Sequence, residues 1–197
     1  MLGPSSRSAD PFPGVAPRIV GRVTGRDVTI ELLLASPRHR YDGRPADGAR
    51  PFGQGERESE LPGRVEIRAG LGIVGDRYFA KPAHRGASVT FFDVGQLETA
   101  AQELGAVAFD PARTRRNVIV RGMPVDTLRG ALFSLDSGAG AVLFRGNRPA
   151  NPCAWMDHEL APGAFAALRG RGGMRCEPLT DGELTLGPAV FEVVQPS

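Results

Sequence analysis

One of the two cysteines in this 197-residue chain lies in a segment whose composition could support thiolate chemistry. Cys153 follows Asn151 and Pro152 in a polar, loop-like stretch, and Arg145 and Arg148 precede it closely. Cationic neighbours lower the pKa of a thiol, and the thiolate is both a nucleophile and a soft metal ligand. Cys153 is therefore a candidate for a reactive or metal-binding residue, and a small loop residue without chemistry is the alternative.

The other cysteine and the histidines narrow the kinds of site that the chain can contain. Cys176 alternates with its neighbours as a strand residue does, and we expect it to pack in the core. Two cysteines are too few for a disulfide framework or a four-cysteine zinc site. A zinc site built on Cys153 and His158 would lack two further ligands. A papain-like enzyme needs a histidine well after its cysteine, and a serine hydrolase of the α/β type needs a GxSxG motif. The sequence contains neither.

A glycine-rich segment, Gly70–Tyr78, precedes a histidine that could line the same site. Glycine lets a backbone approach a ligand closely, and Asp76 and Arg77 could fix one another or bind an anion. A structural turn with an internal ion pair is the alternative. For His84 a loop position and a place in the site fit the local sequence equally well.

Arginines also precede a predicted strand that begins at Asn117. Arg113, Arg115 and Arg116 place planar cations at one end of that strand. Arginine suits phosphate because its donors match two oxygens at once. This segment is therefore either an anion-binding site at the mouth of a sheet or a solvated strand end.

Short alternating segments separated by Gly, Pro or Asp predict the strands that must position these residues. Strands are predicted at 19–23, 28–34, 64–68, 87–92, 117–121, 131–135, 140–144, 174–179 and 189–194. The pair Asp181-Gly182 is typical of a tight hairpin turn.

Two helices complete the predicted elements. Asp93 and Gln96 form a capping-box pattern ahead of an apolar stripe that stops at Gly105. A shorter helix is predicted over 162–169, with Phe165 and Leu168 facing inward. Many short strands against two helices favour a mainly β fold, either a barrel or a strongly curved sheet.

Composition predicts one domain of ordinary size. Hydrophobic residues make up 41% and charged residues 23%, which excludes a disordered polyelectrolyte, and no apolar run approaches a membrane span. We expect a flexible N-terminal arm over 1–17, a domain over 18–197, and a long polar surface loop over 36–62 that moves or covers a site. The start of the sequence has no secretory signal, so we expect a cytoplasmic protein that binds no membrane. The arginines are scattered among acids, which argues against nucleic-acid binding.

In this order, the segments resemble the MOSC family, the domain found at the C-terminus of molybdenum-cofactor sulfurases and also alone in small bacterial proteins. The resemblance covers residues 19 to 195. The matching pieces are Gly72-Ile-Val-Gly-Asp-Arg77, His84-Arg85, Arg115-Arg-Asn-Val-Ile-Val120, Gly122 with Leu128 and Gly130, Asn151-Pro-Cys153, and Gly170-Arg-Gly-Gly173.

The resemblance implies a MOSC-type β-barrel with a few short helices, and molybdenum cofactor, a molybdenum-bound molybdopterin, as the ligand. Cys153 would be the molybdenum thiolate or a sulfur carrier. The other cofactor-binding candidates are Arg115, Asn117 and Asn151, which match motif positions near the cofactor, and Asp76, Arg77 and His84, which match further motif positions. An arginine would pair with the pterin phosphate.

Three functions follow from this resemblance. The first is a molybdenum-dependent reductase of N-hydroxylated or N-oxide compounds. The second is a sulfur carrier or transferase that uses a Cys153 persulfide, and the third is a non-catalytic module for the cofactor or another anion. The pyridoxal phosphate region of the long sulfurases is absent, and Lys81 is the sole lysine. Iron–sulfur cysteines are also missing, so a reductase would need a separate electron-donating partner.

Overall fold

Ten strands and four short α-helices form the part of the chain that the computed structural model describes, residues 25–194. The predicted strand at 19–23 and the predicted arm at 1–17 lie outside these residues. The strands are β1 (Arg26–Leu33), β2 (Arg64–Arg68), β3 (Gly72–Ile73), β4 (Val89–Asp93), β5 (Val118–Arg121), β6 (Leu132–Asp136), β7 (Val142–Pro149), β8 (Met174–Pro178), β9 (Gly182–Thr185) and β10 (Gly187–Val194). The α-helices are α1 (Glu56–Glu60), α2 (Val94–Glu103), α3 (Trp155–Glu159) and α4 (Ala164–Ala167).

Seven of the strands close a barrel in the order β1-β10-β6-β7-β8-β4-β5, with β5 paired back to β1. A separate three-stranded sheet has the order β3-β2-β9. The predicted mainly β fold with a few short helices is confirmed. No helix within residues 25–194 is long and apolar enough to cross a membrane.

The pair β4 and β5 is parallel, whereas every other pair in the barrel is antiparallel. A parallel pair needs a crossover connection, which α2 and a 3-10 helix (Pro111–Thr114) supply here. Both strands therefore begin at the same end of the barrel. Thr90 of β4 lies opposite Arg175 of β8, and Asn117 immediately precedes β5. This end of the barrel carries the candidate site.

The barrel interior is filled by aromatic residues from alternate strand positions. The Phe91 ring packs edge-on against Phe133 and Phe144, with centroids 5.4 and 4.9 Å apart. All three side chains are fully buried. Such burial contributes roughly 2 to 3 kcal/mol for each ring, and aliphatic side chains fill the rest of this core.

A second core lies outside the barrel, under the helices. Leu97 and Ala100 of α2 pack with Trp155, Met156 and other apolar residues of α3, α4 and the barrel wall. The Asp93 carboxylate caps α2 by accepting from the Gly95 N–H at 3.0 Å. The predicted helix and its capping residue are confirmed, and α4 lies within the predicted 162–169 segment.

The region around 181–182 differs from the expected hairpin. Strands β8 and β9 flank a turn there but do not pair: β8 joins β7 and β4 in the barrel, and β9 joins β2 in the small sheet. The Asp181 carboxylate instead accepts from the Ala69 N–H at 2.7 Å and from Arg68 at 3.1 Å. Asp181 therefore fixes the loop between β2 and β3. It lies where the chain passes from the barrel to the three-stranded sheet.

The polar stretch over 36–62, called the 36–62 segment below, contains regular structure and buried charge. It includes a 3-10 helix (Pro45–Asp47) and α1. Arg40 and Glu60 are buried within it although both are charged. They bind one another at 2.8 Å, which offsets the cost of removing two charges from water.

Candidate functional site

Cys153 lies in a short loop that crosses the end of the barrel between β7 and α3. Its thiol is free and the residue is exposed, whereas Cys176 in β8 is fully buried. Burial raises the pKa of the Cys176 thiol well above its usual value. The two cysteines therefore differ in access, with Cys153 the accessible one.

Brief alkylation should distinguish these two thiols. We expect iodoacetamide at neutral pH to modify Cys153 much faster than Cys176, because the reagent cannot reach a fully buried thiol and the thiolate is the reactive form. Peptide mapping by mass spectrometry gives the ratio of the two products. Equal labelling of both cysteines, or preferential labelling of Cys176, would contradict the placement of Cys153 at an open site.

A cavity of about 200 Å³ opens beside Cys153, and we call it the cationic pocket. Its lining includes five arginines and two histidines, and within residues 25–194 no carboxylate lines it. These basic residues are Arg40, Arg77, Arg115, Arg116, Arg175, His39 and His84. Asn117, Asn151, Tyr41 and Trp155 also contribute to the wall. Guanidinium groups concentrated around a concave surface favour a phosphate or another anion.

Three arginines of the cationic pocket have a buried nitrogen without a hydrogen-bond partner in the protein. The atoms are Arg77 Nε, Arg115 Nη2 and Arg175 Nε, and they are the only such side-chain atoms found within residues 25–194. A buried donor without a partner costs roughly 1 to 3 kcal/mol, so proteins rarely keep one without a reason. Here all three arginines line one cavity, and an anion bound there would supply acceptor oxygens to their guanidinium groups.

Arg115 and Arg116 point to opposite sides of this pocket. Arg115 has φ 56 and ψ 33, a left-handed conformation that ends the 3-10 helix before it. Its Nη1 donates to Glu60 Oε2 at 2.8 Å. Arg116 donates from Nη2 to the carbonyl of Ala150 at 2.8 Å and from Nε to that of Gly172 at 3.0 Å. Because of this turn, the Arg115 guanidinium reaches the 36–62 segment. The Arg116 guanidinium reaches the loop that carries Cys153, which we call the cysteine loop.

Burial and neighbouring cations lower the pKa of Arg116. Desolvation, with smaller contributions from the charges of Arg175 and Arg77, lowers its pKa to about 10. It remains protonated at neutral pH. Its Nη2 also donates to the Asn151 carbonyl at 3.2 Å, so a charged guanidinium fixes the two residues that lead to Pro152 and Cys153.

Asn117 lines the pocket, but the protein itself occupies the hydrogen-bonding groups of its amide. Its Oδ1 accepts from the N–H and the hydroxyl of Thr90 at 3.0 and 2.7 Å. Its Nδ2 donates to the Leu34 carbonyl at 3.0 Å and to Asp76 Oδ2 at 3.2 Å. Direct contact of the Asn117 side chain with a phosphate would break these bonds. Asn117 is better placed to hold β4, β5 and the end of β1 together.

Asp76 does not line the cavity and lies behind it. Its side chain is buried and accepts from the Ser36 N–H at 3.2 Å, the Tyr78 N–H at 2.9 Å and the Asn117 amide. The neighbouring Arg77 does reach the cavity. Its guanidinium lies over the Tyr78 ring, 4.5 Å from the centroid. Of the predicted pair, Asp76 therefore supports the pocket from behind, and Arg77 lines it.

The structure thus brings six of the seven sequence candidates to one cavity. Cys153, Arg77, His84, Arg115, Asn117 and Asn151 line it, and Asp76 supports it. His84 is held by contact of its ring with that of Tyr78, at 4.5 Å between centroids.

Several pocket residues were not among the sequence candidates. Arg175 alternates with buried Met174 and Cys176, which would have identified it as a residue on the other face of β8. Its place beside Thr90 depends on strand register, which the sequence does not give. The rings of Tyr41 and Trp155 stack 5.0 Å apart with an interplanar angle of 10°, and they form an aromatic wall next to Cys153.

Metal binding by protein side chains alone has little support in the described part of the chain. Residues 25–194 contain no group of three or more His, Cys, Asp or Glu side chains that could hold a metal ion. A metal at Cys153 would therefore have to bring most of its ligands with it, as the metal of an organic cofactor does.

Comparison with known proteins gives structural matches only. No family model matches the sequence, and no curated protein matches it. The solved structure of YuaD from Bacillus subtilis is similar over 88% of this chain and all of that chain, with a TM-score of 0.61 and 17% identity. YiiM from Escherichia coli is similar over 86% of this chain and 71% of that chain, with a TM-score of 0.53 and 14% identity. The fold is therefore shared with YuaD and YiiM, and the predicted MOSC-type β-barrel is confirmed as the fold of this chain.

Proposed function

We propose that this chain is a MOSC-family protein that binds molybdenum cofactor in the cationic pocket and reduces N-hydroxylated or N-oxide compounds. The motif resemblance and the structural likeness to YuaD and YiiM support the family. The observation that carries the most weight is that three arginines lining the same cavity as Cys153 each have a buried nitrogen without a partner in the protein. One end of this cavity offers a soft ligand, and its walls offer donors for an anion.

The residues present fit the two chemically different ends of such a cofactor. Cys153 would bind the metal, because a polarisable thiolate suits molybdenum. Arg115, with Arg77 and Arg175, would hold the phosphate through charge-assisted hydrogen bonds from nitrogens that lack a partner in the protein. Asn151 would contact the cofactor near Cys153, and Asn117 would act by holding the strand ends.

The chain's own residues define the surroundings of the reaction. When bound, the cofactor supplies two-electron redox chemistry at molybdenum. The reduction consumes two electrons and two protons, breaks the N–O bond and releases the oxygen as water. The stacked rings of Tyr41 and Trp155 form part of the wall of the pocket that Cys153 lines. Arg116 keeps the cysteine loop in place through its bonds to the Ala150 and Asn151 carbonyls.

A sulfur carrier is the second candidate, and the exposed thiol of Cys153 favours it. A persulfide on Cys153 would be an anion in a pocket that lacks carboxylates, which would stabilise it. A removable sulfur adduct on Cys153, detected by intact-mass measurement before and after reduction, would support this function over the reductase. Cofactor that is bound without turnover would support the non-catalytic binding module.

The source of electrons gives a direct test of the reductase. The sequence has no flavin, haem or iron–sulfur motif, so we expect cofactor-loaded protein to reduce an N-hydroxylated compound with reduced viologen but not with NADH alone. The amine product is measured by chromatography, with viologen and no protein as the blank. Turnover with NADH and this protein alone would contradict the assignment. Absence of turnover with either donor would favour the carrier or the binding module.

A further inference from the structure

Glu60, the last residue of α1, is a buried carboxylate at the boundary between the 36–62 segment and the cationic pocket. It is 1% exposed. Its Oε1 accepts from Arg40 Nη2 at 2.8 Å and from Ser36 Oγ at 2.7 Å, both in its own segment. Its Oε2 accepts from Arg115 Nη1 at 2.8 Å. The two oxygens thus connect different parts of the chain.

The charge on Glu60 is maintained by these contacts. Burial alone would raise the pKa of this carboxyl, but hydrogen bonds from Arg40, Ser36 and Arg115 outweigh burial and lower the pKa below its usual value. Glu60 is therefore ionised at neutral pH. A charged carboxylate accepts stronger hydrogen bonds than a neutral one, so it holds Arg115 firmly.

The contact with Glu60 fixes the orientation of Arg115. A guanidinium is planar and rigid, so binding Nη1 to a fixed carboxylate also fixes the direction of Nη2. Nη2 is the buried nitrogen of Arg115 that has no partner in the protein. The Arg115 side chain is only 9% exposed, which leaves it little freedom to adopt another position.

A chain of hydrogen bonds anchors Glu60 to the end of the barrel. Ser36 donates from its hydroxyl to Glu60 and from its N–H to Asp76 Oδ2, the latter at 3.2 Å. Asp76 in turn accepts from Asn117 at 3.2 Å, at the start of β5. Glu60 thus connects the 36–62 segment to the pocket by two routes. One is its direct contact with Arg115, and the other runs through the hydrogen bonds of Ser36, Asp76 and Asn117.

We propose that Glu60 is a positioning residue for anion binding, which holds the Arg115 guanidinium in the wall of the cationic pocket so that it binds an anion there. As a consequence, docking of the 36–62 segment and binding of an anion strengthen each other. This inference deepens the proposed function and rests on it only in taking the pocket to bind an anion.

Phosphate titration of the cofactor-free protein tests the role of Glu60 without molybdenum. Trp155, the only tryptophan in the chain, lines the pocket and reports binding of inorganic phosphate by fluorescence. Glu60→Gln removes a negative charge next to a cationic pocket. If Glu60 only balanced charge, phosphate would bind more tightly to this variant. If it positions Arg115, binding should weaken by about tenfold, as expected for one lost charge-assisted hydrogen bond.

Matched variants separate positioning from charge and from folding. Glu58→Gln makes the same charge change at an exposed position of α1 and should leave the phosphate affinity within about twofold. Glu60→Asp keeps the charge but withdraws the carboxylate, and it should also weaken binding. Circular dichroism checks that each variant is folded, and Glu60→Asp provides the test if Glu60→Gln does not fold.

The outcomes also distinguish this inference from the proposed function. Unchanged or tighter phosphate binding in a folded Glu60 variant, or no phosphate binding by the unmodified protein, would overturn the positioning role. Weaker binding in the Glu60 variants with unchanged binding in Glu58→Gln would support it. That result would stand even if the purified protein were found to contain no molybdenum, in which case only the identity of the anion would change.

Discussion

Replacing Cys153 by serine is expected to alter the metal centre and abolish reductase turnover while part of the pterin stays bound. A serine hydroxyl is a hard, protonated group at neutral pH and cannot replace a thiolate as a soft metal ligand. The arginine contacts to the phosphate are separate from the thiol, so they should still retain pterin. Cys153 is exposed in a loop, and the free energy of unfolding should therefore change by less than about 0.5 kcal/mol.

Arg115→Ala should be compared with Cys153→Ser, because it removes a contact to the phosphate and not to the metal. Loss of one charged hydrogen-bonded contact should weaken retention of the whole cofactor by roughly 1 to 3 kcal/mol, so molybdenum and pterin should fall together. Molybdenum is measured by elemental analysis, and pterin by the fluorescence of its oxidised form. If both variants keep the amounts found in the unmodified protein, the site lies elsewhere and the motif residues do not bind the cofactor.

Replacing Arg116 by alanine should destabilise the protein by roughly 3 kcal/mol. The change leaves the Ala150, Asn151 and Gly172 carbonyls without their donor, and an unsatisfied buried group costs about 1 to 3 kcal/mol. Relief of repulsion from Arg175 and entry of water into the cavity offset part of this cost, which is why the sum is not larger.

Urea denaturation followed by circular dichroism measures the effect of Arg116→Ala. Arg113→Ala is the matched control, because Arg113 lies in the same arginine-rich segment but its side chain is 51% exposed. The control should cost no more than about 1 kcal/mol. Equal destabilisation by the two substitutions would show that Arg116 does not anchor the cysteine loop.

The fold was predictable where local pattern and final packing agree. Alternation along 28–34 and 189–194 predicted strands because one side of each faces the barrel interior. The two-residue strand β3 and the four-residue strand β9 have no such signal, since their pairing with β2 is decided by distant parts of the chain. The turn at 181–182 was recognisable, but the partners of its flanking strands were not.

The types of residue in the candidate site were predictable from the sequence, but the contacts between them were not. Cys153 was identified as a thiol close to arginines, and Arg115 as one of several arginines that precede a strand. Glu60 was not identified, because a lone glutamate in a polar segment indicates a solvated surface. Its burial depends on meeting Arg115, which is 55 residues away in sequence, and on the parallel register of β4 and β5 that fixes Asn117. Such contacts are properties of the tertiary structure.

Elemental and pterin analysis of the protein purified from a host that makes molybdenum cofactor tests the central claim most directly. A known molybdenum enzyme, purified from the same cells, serves as the loading control. We predict that molybdenum and pterin copurify with this protein in nearly equal molar amounts and that both are reduced in Arg115→Ala. Absence of both from the unmodified protein, when the control enzyme is fully loaded, would contradict the assignment of the cationic pocket to this cofactor.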